Sequence, residues 1–156
     1  MRTLLILTIG IPGSGKSTWA KNYQEQNPGT IIISTDEIRK EQGETVCNPE
    51  HNNAIHEEAR RRVKDIFDHP EKYNYNDGLG PEVIVDSTNV DLVEWIKYKE
   101  LNPTILAAKV FDVDVDDAYD RQEARGRVVP LDVLEDKYYS LQANKPLIPH
   151  FFNILF

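Results

Sequence analysis

Apolar residues fall along this chain in two rhythms. Leu4-Leu5-Ile6-Leu7-Thr8-Ile9, Thr30-Ile31-Ile32-Ile33, Val83-Ile84-Val85 and residues 105–111 form short, nearly continuous apolar runs. That is the pattern of strands buried on both faces of a parallel sheet. Between the runs lie stretches with helical spacing. The pattern predicts a strand over residues 3–9, a helix over 16–26 ending before Asn27-Pro28-Gly29, and a second strand over 30–33. Ser34-Thr35-Asp36-Glu37 then reads as a capping box, with Ser34 as cap and Glu37 three residues on. Asn48-Pro49 opens a third helix, with proline at its first position, carrying Ile55, Ala59, Val63, Ile66 and Phe67 and stopping near His69-Pro70. Residues 73–81 are turn-rich and read as a surface loop before a strand over 83–85. A helix capped by Asp91 with Glu94 carries Leu92, Trp95 and Ile96, and a strand over 105–111 is followed by a helix over 114–124. Pro130 opens a last helix with Leu131, Leu134, Tyr138 and Leu141 on one face. The apolar tail Phe151-Phe152-Asn153-Ile154-Leu155-Phe156 fits a final strand, a packed cap or a dimer contact. Alternating strands and helices predict repeated βα units in one α/β domain spanning residues 1–156, with four to five parallel strands flanked by helices.

The first strand runs directly into Gly10-Ile11-Pro12-Gly13-Ser14-Gly15-Lys16-Ser17-Thr18. The spacing G-x-x-x-x-G-K-S between a buried strand and a helix start is a phosphate-binding loop. Glycines there let the backbone close on an anion, and successive N–H groups and the positive helix end face it. Gly10, Pro12, Gly13, Ser14, Gly15, Lys16, Ser17 and Thr18 therefore form a candidate site for a nucleoside triphosphate. Lys16 would reach the β- and γ-phosphates and the Ser17 hydroxyl would ligate Mg²⁺.

Composition adds bounds. The chain has 156 residues, 26 acidic against 18 basic, and a net charge of -8. That balance argues against broad, non-specific duplex binding, which needs many phosphate contacts. Basic clusters remain at Arg39-Lys40, at Arg60-Arg61-Arg62 with Lys64, which reads as a solvated helix face, and at Arg121/Arg125/Arg127. The single Cys47 excludes an internal disulfide framework and fits a reducing compartment. No stretch approaches the roughly 20 apolar residues of a membrane helix. A cytoplasmic protein without a membrane partner is the expectation.

Three further places carry chemistry. Asp36 falls in the first turn of the second helix, where the dipole favours a carboxylate, with Arg39 at i+3 on the same face. Both lie just past a carboxyl strand end, the edge where open α/β sheets bind ligands. Asp36 is a candidate general base for an acceptor hydroxyl, or a carboxylate that only complements the dipole. As a weak base it suffices, because proton removal comes late in a loose phosphoryl-transfer transition state. Asp86 ends an apolar strand, where an acidic residue holds Mg²⁺ in phosphate-loop enzymes, though a plain helix cap also fits. Motor ATPases typically place a water-activating glutamate next, whereas here Ser87 follows, which favours transfer over hydrolysis. Arg121, Arg125 and Arg127 flank Gly126 and would close over donor phosphates, or else form a salt-bridged helix end. Phe111-Asp112-Val113-Asp114-Val115 imitates the Asp-x-Asp nucleophile of haloacid-dehalogenase phosphatases, but too little chain follows it for that fold. His51, His56, His69 and His150 lack metal-ligand spacing, so the metal site is assigned to Ser17 and Asp86 alone.

Taken together, these residues resemble the kinase domain of bacteriophage-type polynucleotide 5′-kinases, within the phosphate-loop kinases. The likeness rests on residues 8–20, on Asp36 with Arg39, on Thr88-Asn89, on Val110-Phe111-Asp112-Val113, and on Arg121, Arg125-Gly126 and Val129-Pro130-Leu131-Asp132-Val133-Leu134. It implies a P-loop kinase fold with an arginine-bearing lid. It further implies Asp36 as general base for a 5′-hydroxyl, Arg39 on the acceptor's neighbouring phosphate, Thr88 lining the acceptor groove, and Arg121 and Arg125 clamping the donor. Residues 40–80, which would form much of the acceptor wall, match that family poorly.

The resulting expectation is an ATP- and Mg²⁺-dependent kinase acting on the 5′-hydroxyl of a DNA or RNA end, with a homo-oligomer open. The catalytic set is Asp36, Lys16 and Arg125. A small-molecule kinase for a nucleoside, sugar or antibiotic is the rival within enzymes, and a nucleotide-dependent ATPase switch the rival outside them.

Overall fold

The computed structural model describes residues 1–43, 49–73, 79–126 and 129–156. Five parallel strands form one sheet: β1 (Leu4–Gly10), β2 (Ile31–Ser34), β3 (Glu82–Asp86), β4 (Ile105–Phe111) and β5 (Ile154–Leu155), in the order β2-β3-β1-β4-β5. Every residue of the central β1 is buried, as its apolar run requires. Leu5 and Leu7 stand opposite Val83 and Val85 of β3 and opposite Leu106 and Ala108 of β4.

Alternation along β1 splits the core into two layers. Leu5, Leu7 and Ile9 pack with Ile38 of α2 (Thr35–Glu41) and with Ile55, Ala59, Val63 and Ile66 of α3 (Pro49–Asp68). Trp95 and Tyr98 of α4 (Leu92–Lys99) and Leu141 of α6 (Leu131–Asn144) complete that layer. Leu4 and Ile6 pack on the other face with Ala20 of α1 (Lys16–Gln26). Each fully buried Ile, Leu or Val contributes roughly 1.5–3 kcal/mol relative to exposure, so the α3 face alone secures that helix to the sheet. α5 (Val115–Ala124) follows β4, and the short α7 (Ile148–Phe151) precedes β5.

Several local expectations shift. β1 extends to Gly10, one residue later than the pattern placed it. Ser34 does cap α2, accepting from the Glu37 N–H at 3.3 Å, but the Glu37 carboxylate pairs with Lys40 instead of closing the box. Asp91 stands at the N-cap of α4 without a side-chain cap bond. Glu94, its expected partner, is drawn away to Arg60 at 2.8 Å. Ile96 and Leu131 are exposed, and Tyr98 takes the core position on α4 that Ile96 does not. Pro130 is the N-cap of α6 and not its first residue, and α6 is not the last helix.

The tail is both strand and cap. Ile154 and Leu155 pair with Ala107 and Ala108 of β4. Phe152 is buried against Trp95, while Phe156 lies 5.9 Å from Trp19 and 5.6 Å from Tyr23 between ring centroids. The basic run on α3 is ion-paired: Arg61 with Glu58, Arg62 with Glu58 and with Glu41 of α2, and Lys64 with Asp68, while Arg60 turns inward to Glu94 of α4 and is not on the solvated face expected of it. Asp112 of the Asp-x-Asp imitation is held by Lys145 and Gln142. Among the described residues no helix is long and apolar enough to cross a membrane. Cys47, Asn48, residues 74–78 of the surface loop and Arg127 lie outside the described residues.

Candidate active site

The cleft opens at the carboxyl ends of β1, β2 and β3. On its first wall the chain leaves β1 through a turn that only glycine fits at two positions. A Cβ on Gly10 would stand 2.7 Å from Ser14 Oγ and 2.9 Å from the Phe111 Cβ. Gly13 has φ +82°, and its Cβ would meet the Ala118 carbonyl of α5 at 2.6 Å. All three distances are below van der Waals contact, so β4 and α5 press the loop into shape. Gly15 then starts α1, and the Lys16 ammonium donates to the Ile11 carbonyl at 2.8 Å. Pro12, Gly13, Gly15, Lys16 and Ser17 line the cleft. Ser14 is buried, while Thr18 is exposed on α1 and does not line it.

β3 delivers Asp86 to the floor. The Ser17 hydroxyl donates to Asp86 Oδ2 at 2.7 Å. Burial pushes the Asp86 carboxyl above its ordinary value, with Asp36 adding to the rise, while the Ser17 hydrogen bond and Lys16 oppose it. The Asp86–Ser17 pair fits a divalent cation: a buried carboxylate oxygen beside a hydroxyl oxygen. No group of three or more His, Cys, Asp or Glu gathers into a metal cage among the described residues. Mg²⁺ does not require one, since it is usually held by one or two carboxylates plus substrate phosphates.

Just beyond Asp86 the loop is fixed from three sides. The Gly10 N–H donates to the Thr88 carbonyl at 2.9 Å. Asn89, at φ +45°, donates its amide to the Thr8 carbonyl at 2.9 Å. Its own carbonyl accepts from the Trp95 indole at 2.6 Å. Asn tolerates that left-handed backbone better than most residues. Ser87 accepts from the Thr35 hydroxyl at 3.1 Å, tying the start of α2 to the same floor, and Thr35, Ser87 and Thr88 all line the cleft.

The opposite wall is made of side chains. Asp36 and Arg39, one turn apart on α2, form an ion pair at 2.9 Å and both line the cleft. Arg39 also donates to Asn52 Oδ1 of α3 at 2.8 Å. His56, one turn along α3, lines the cleft too. Its pKa is pushed down by burial and by Arg39, Arg60 and Lys137, against a rise from Glu94. Over the top, α5 contributes Gln122 and its C-cap Arg125, followed by Val129, Val133 and Lys137. The buried Gln122 accepts from the Val129 N–H at 3.0 Å, bridging the turn that carries Arg125. Arg121 is exposed and does not line the cleft.

Asn52, His56, Gln122, Val129, Val133 and Lys137 escaped sequence reasoning. Val129 and Val133 stand in the 129–134 segment that carries the resemblance, which gives them no place in the site; the other four stand in no motif, and helical spacing alone does not say which polar face of α3 or α6 meets a cleft. The only sequence hint was that residues 40–80 would supply acceptor wall, and Asn52 and His56 come from there.

The family model described as an AAA domain matches residues 5–143. The chain belongs to that family. Within it, the strand order, phosphate loop and flanking helices make this AAA-family chain a P-loop kinase domain. A solved structure of the Pnkp1/Rnl/Hen1 RNA repair complex matches with a TM-score of 0.72 and 26% identity, covering 93% of this chain and 45% of that one. A gluconokinase from Sinorhizobium meliloti 1021 matches with a TM-score of 0.58 and 18% identity over 87% of this chain and 73% of its own, a likeness of fold. Human NEDD4-binding protein 2 is 32% identical over 99 residues, 64% of this chain. This AAA-family chain thus spans 45% of the repair-complex chain, and its match covers 5% of the human protein.

Proposed function

We propose that this domain transfers the γ-phosphate of ATP to the 5′-hydroxyl of a nucleic-acid strand. The observation that carries the reading is the Asp36–Arg39 ion pair, set on the wall facing the phosphate loop in one cleft. It joins a base for a hydroxyl to a cation for a neighbouring phosphate. The likeness at 26% identity to a chain of an RNA repair complex supports the same acceptor class.

On the donor side the loop N–H groups and Arg125 hold the triphosphate, and Lys16 exchanges the Ile11 carbonyl for phosphate oxygens. Ser17 and Asp86 would hold Mg²⁺, which would supply charge neutralisation at the phosphate oxygens. On the acceptor side Arg39 binds the phosphate next to the reacting nucleoside. Asp36 orients the 5′-hydroxyl and takes its proton as the oxygen bonds to the γ-phosphorus and ADP leaves. Thr88 lines the groove between the two. Arg121 joins the donor clamp only if the end of α5 turns inward. A strand end threading a cleft needs few phosphate contacts, which reconciles a nucleic-acid substrate with a net charge of -8.

Incubation with radiolabelled ATP, 5′-hydroxyl oligonucleotides of DNA and RNA, and a panel of nucleosides, sugars and other alcohols tests the reading. Label on the oligonucleotides is expected. Label only on the small alcohols overturns it in favour of a small-molecule kinase, and ATP hydrolysis without label in any acceptor favours a switch.

A further inference from the structure

Arg39 is gripped from two sides. Nη1 donates to Asp36 Oδ1 at 2.9 Å, and Nη2 donates to Asn52 Oδ1 at 2.8 Å. A guanidinium is a rigid plane with its donors in a fixed fork. Holding both ends of the fork therefore sets its position and its plane together. The two grips differ in kind. Asp36 is local, three residues away on the same helix, and its charge compensates that of Arg39. Asn52 comes from another helix, thirteen residues away, and its amide oxygen orients the guanidinium while leaving its charge intact. The Arg39 side chain is only 14% exposed, so its orientation is set by these partners more than by solvent.

Asn52 is itself on a braced face. Asn52, His56 and Arg60 follow at i, i+4 and i+8 on α3, one stripe of the helix. Arg60 donates to Glu94 Oε2 of α4 at 2.8 Å, and His56 Nδ1 lies 3.8 Å from the same oxygen. The stripe thus runs from Arg39 at one end to α4 at the other, the helix that follows the Asp86 strand.

We propose that Asn52 is a positioning residue for acceptor recognition, aiming the Arg39 guanidinium at an anionic group beside the reacting hydroxyl. It selects acceptors that carry a phosphate next to the reacting nucleoside over neutral alcohols. This rests on the reading of Asp36 and Arg39 as the acceptor end of the site. A hydrogen bond to a charged group is worth on the order of tenfold or more in an equilibrium, which sets the scale.

The test compares kcat/KM for a nucleoside 3′-monophosphate with that for the corresponding unphosphorylated nucleoside, in wild type, Asn52→Ala and Asn52→Asp. The Ala variant loses the grip, and the Asp variant keeps an oxygen there but adds a charge that cancels Arg39. The preference for the phosphorylated acceptor is expected to fall about tenfold in both, with KM for ATP changing less than twofold. A purely structural role for Asn52 predicts that the Ala variant slows both acceptors alike and keeps the wild-type preference, and that result overturns the proposal. So does a wild-type preference in the Asp variant, since its added charge would then not act on the acceptor phosphate. Failure of the acceptor reading is seen separately, in wild type: label reaching small alcohols but no 5′-hydroxyl oligonucleotide sinks both, whereas label on oligonucleotides with unaltered variants sinks this inference alone.

Discussion

The two walls of the cleft are built in different ways. The wall proposed to hold the donor is contiguous: β1, the loop through Gly15 and the first turn of α1 follow one another in the chain, and backbone geometry forced by Gly10 and Gly13 shapes it. The wall proposed to take the acceptor is assembled from side chains of α2, α3 and the β3–α4 loop, held by an ion pair, a hydrogen bond to Asn52 and a hydroxyl contact to Ser87. A backbone-built wall binds what every nucleoside triphosphate shares. A side-chain-built wall can be retuned by single substitutions, whereas a backbone-built one cannot.

The sharpest way to break the contrast is Asp36→Asn. Phosphoryl transfer is expected to fall by roughly 10²–10⁴, the usual contribution of a positioned general base, while ATP affinity measured by calorimetry stays within about twofold. Near-wild-type turnover would remove Asp36 from the chemistry. Arg39→Ala comes next: KM for 3′-phosphorylated acceptors is expected to rise about 10–100-fold, on the scale of one or two charge-assisted hydrogen bonds. Its KM for ATP should barely move. An equal rise in both would shift Arg39 to the donor wall.

Asp86 tests the floor between the two walls through stability. Its carboxyl is raised in the folded state, chiefly by burial. Ionising it therefore costs more in the folded protein than in the unfolded chain. The full stability is present below the ordinary carboxylate value and is lost as pH rises through the raised folded value. Asp86→Asn is expected to raise the melting temperature of the metal-free protein at neutral pH by about 2–4 °C, the scale of 1 kcal/mol in a chain of this size. The gain should vanish in acid, and the variant should lose the further rise that ATP with Mg²⁺ gives wild type. A lower neutral-pH melting temperature would mean that the Ser17 contact outweighs burial.

The smallest effect lies away from both walls. Glu58 is pulled down to about 2, mainly by its hydrogen bond to Arg61 and then by Arg62. Its contribution is present above the ordinary glutamate value and fades as pH falls towards 2. Glu58→Gln should flatten the acid limb of the stability curve slightly and leave transfer kinetics unchanged, because exposed ion pairs are weak. A change in acceptor KM would instead connect the Glu58–Arg62–Glu41 network to α2 and hence to Asp36.

The chain's local grammar carried a good deal. Runs of Leu, Ile and Val place the strands, Ser34 sets the start of α2, and Gly10 to Ser17 spell the phosphate loop, because periodicity and turn geometry are settled within a few neighbouring residues. Tertiary packing decided the rest. It chose which polar stripe of α3 meets Arg39, drew Glu94 from the Asp91 cap to Arg60, put Arg125 into the cleft while leaving Arg121 outside, and resolved the tail into β5 and an aromatic cap. Those outcomes depend on how helices far apart in sequence settle on a shared sheet, and no stretch of neighbouring residues specifies that contact.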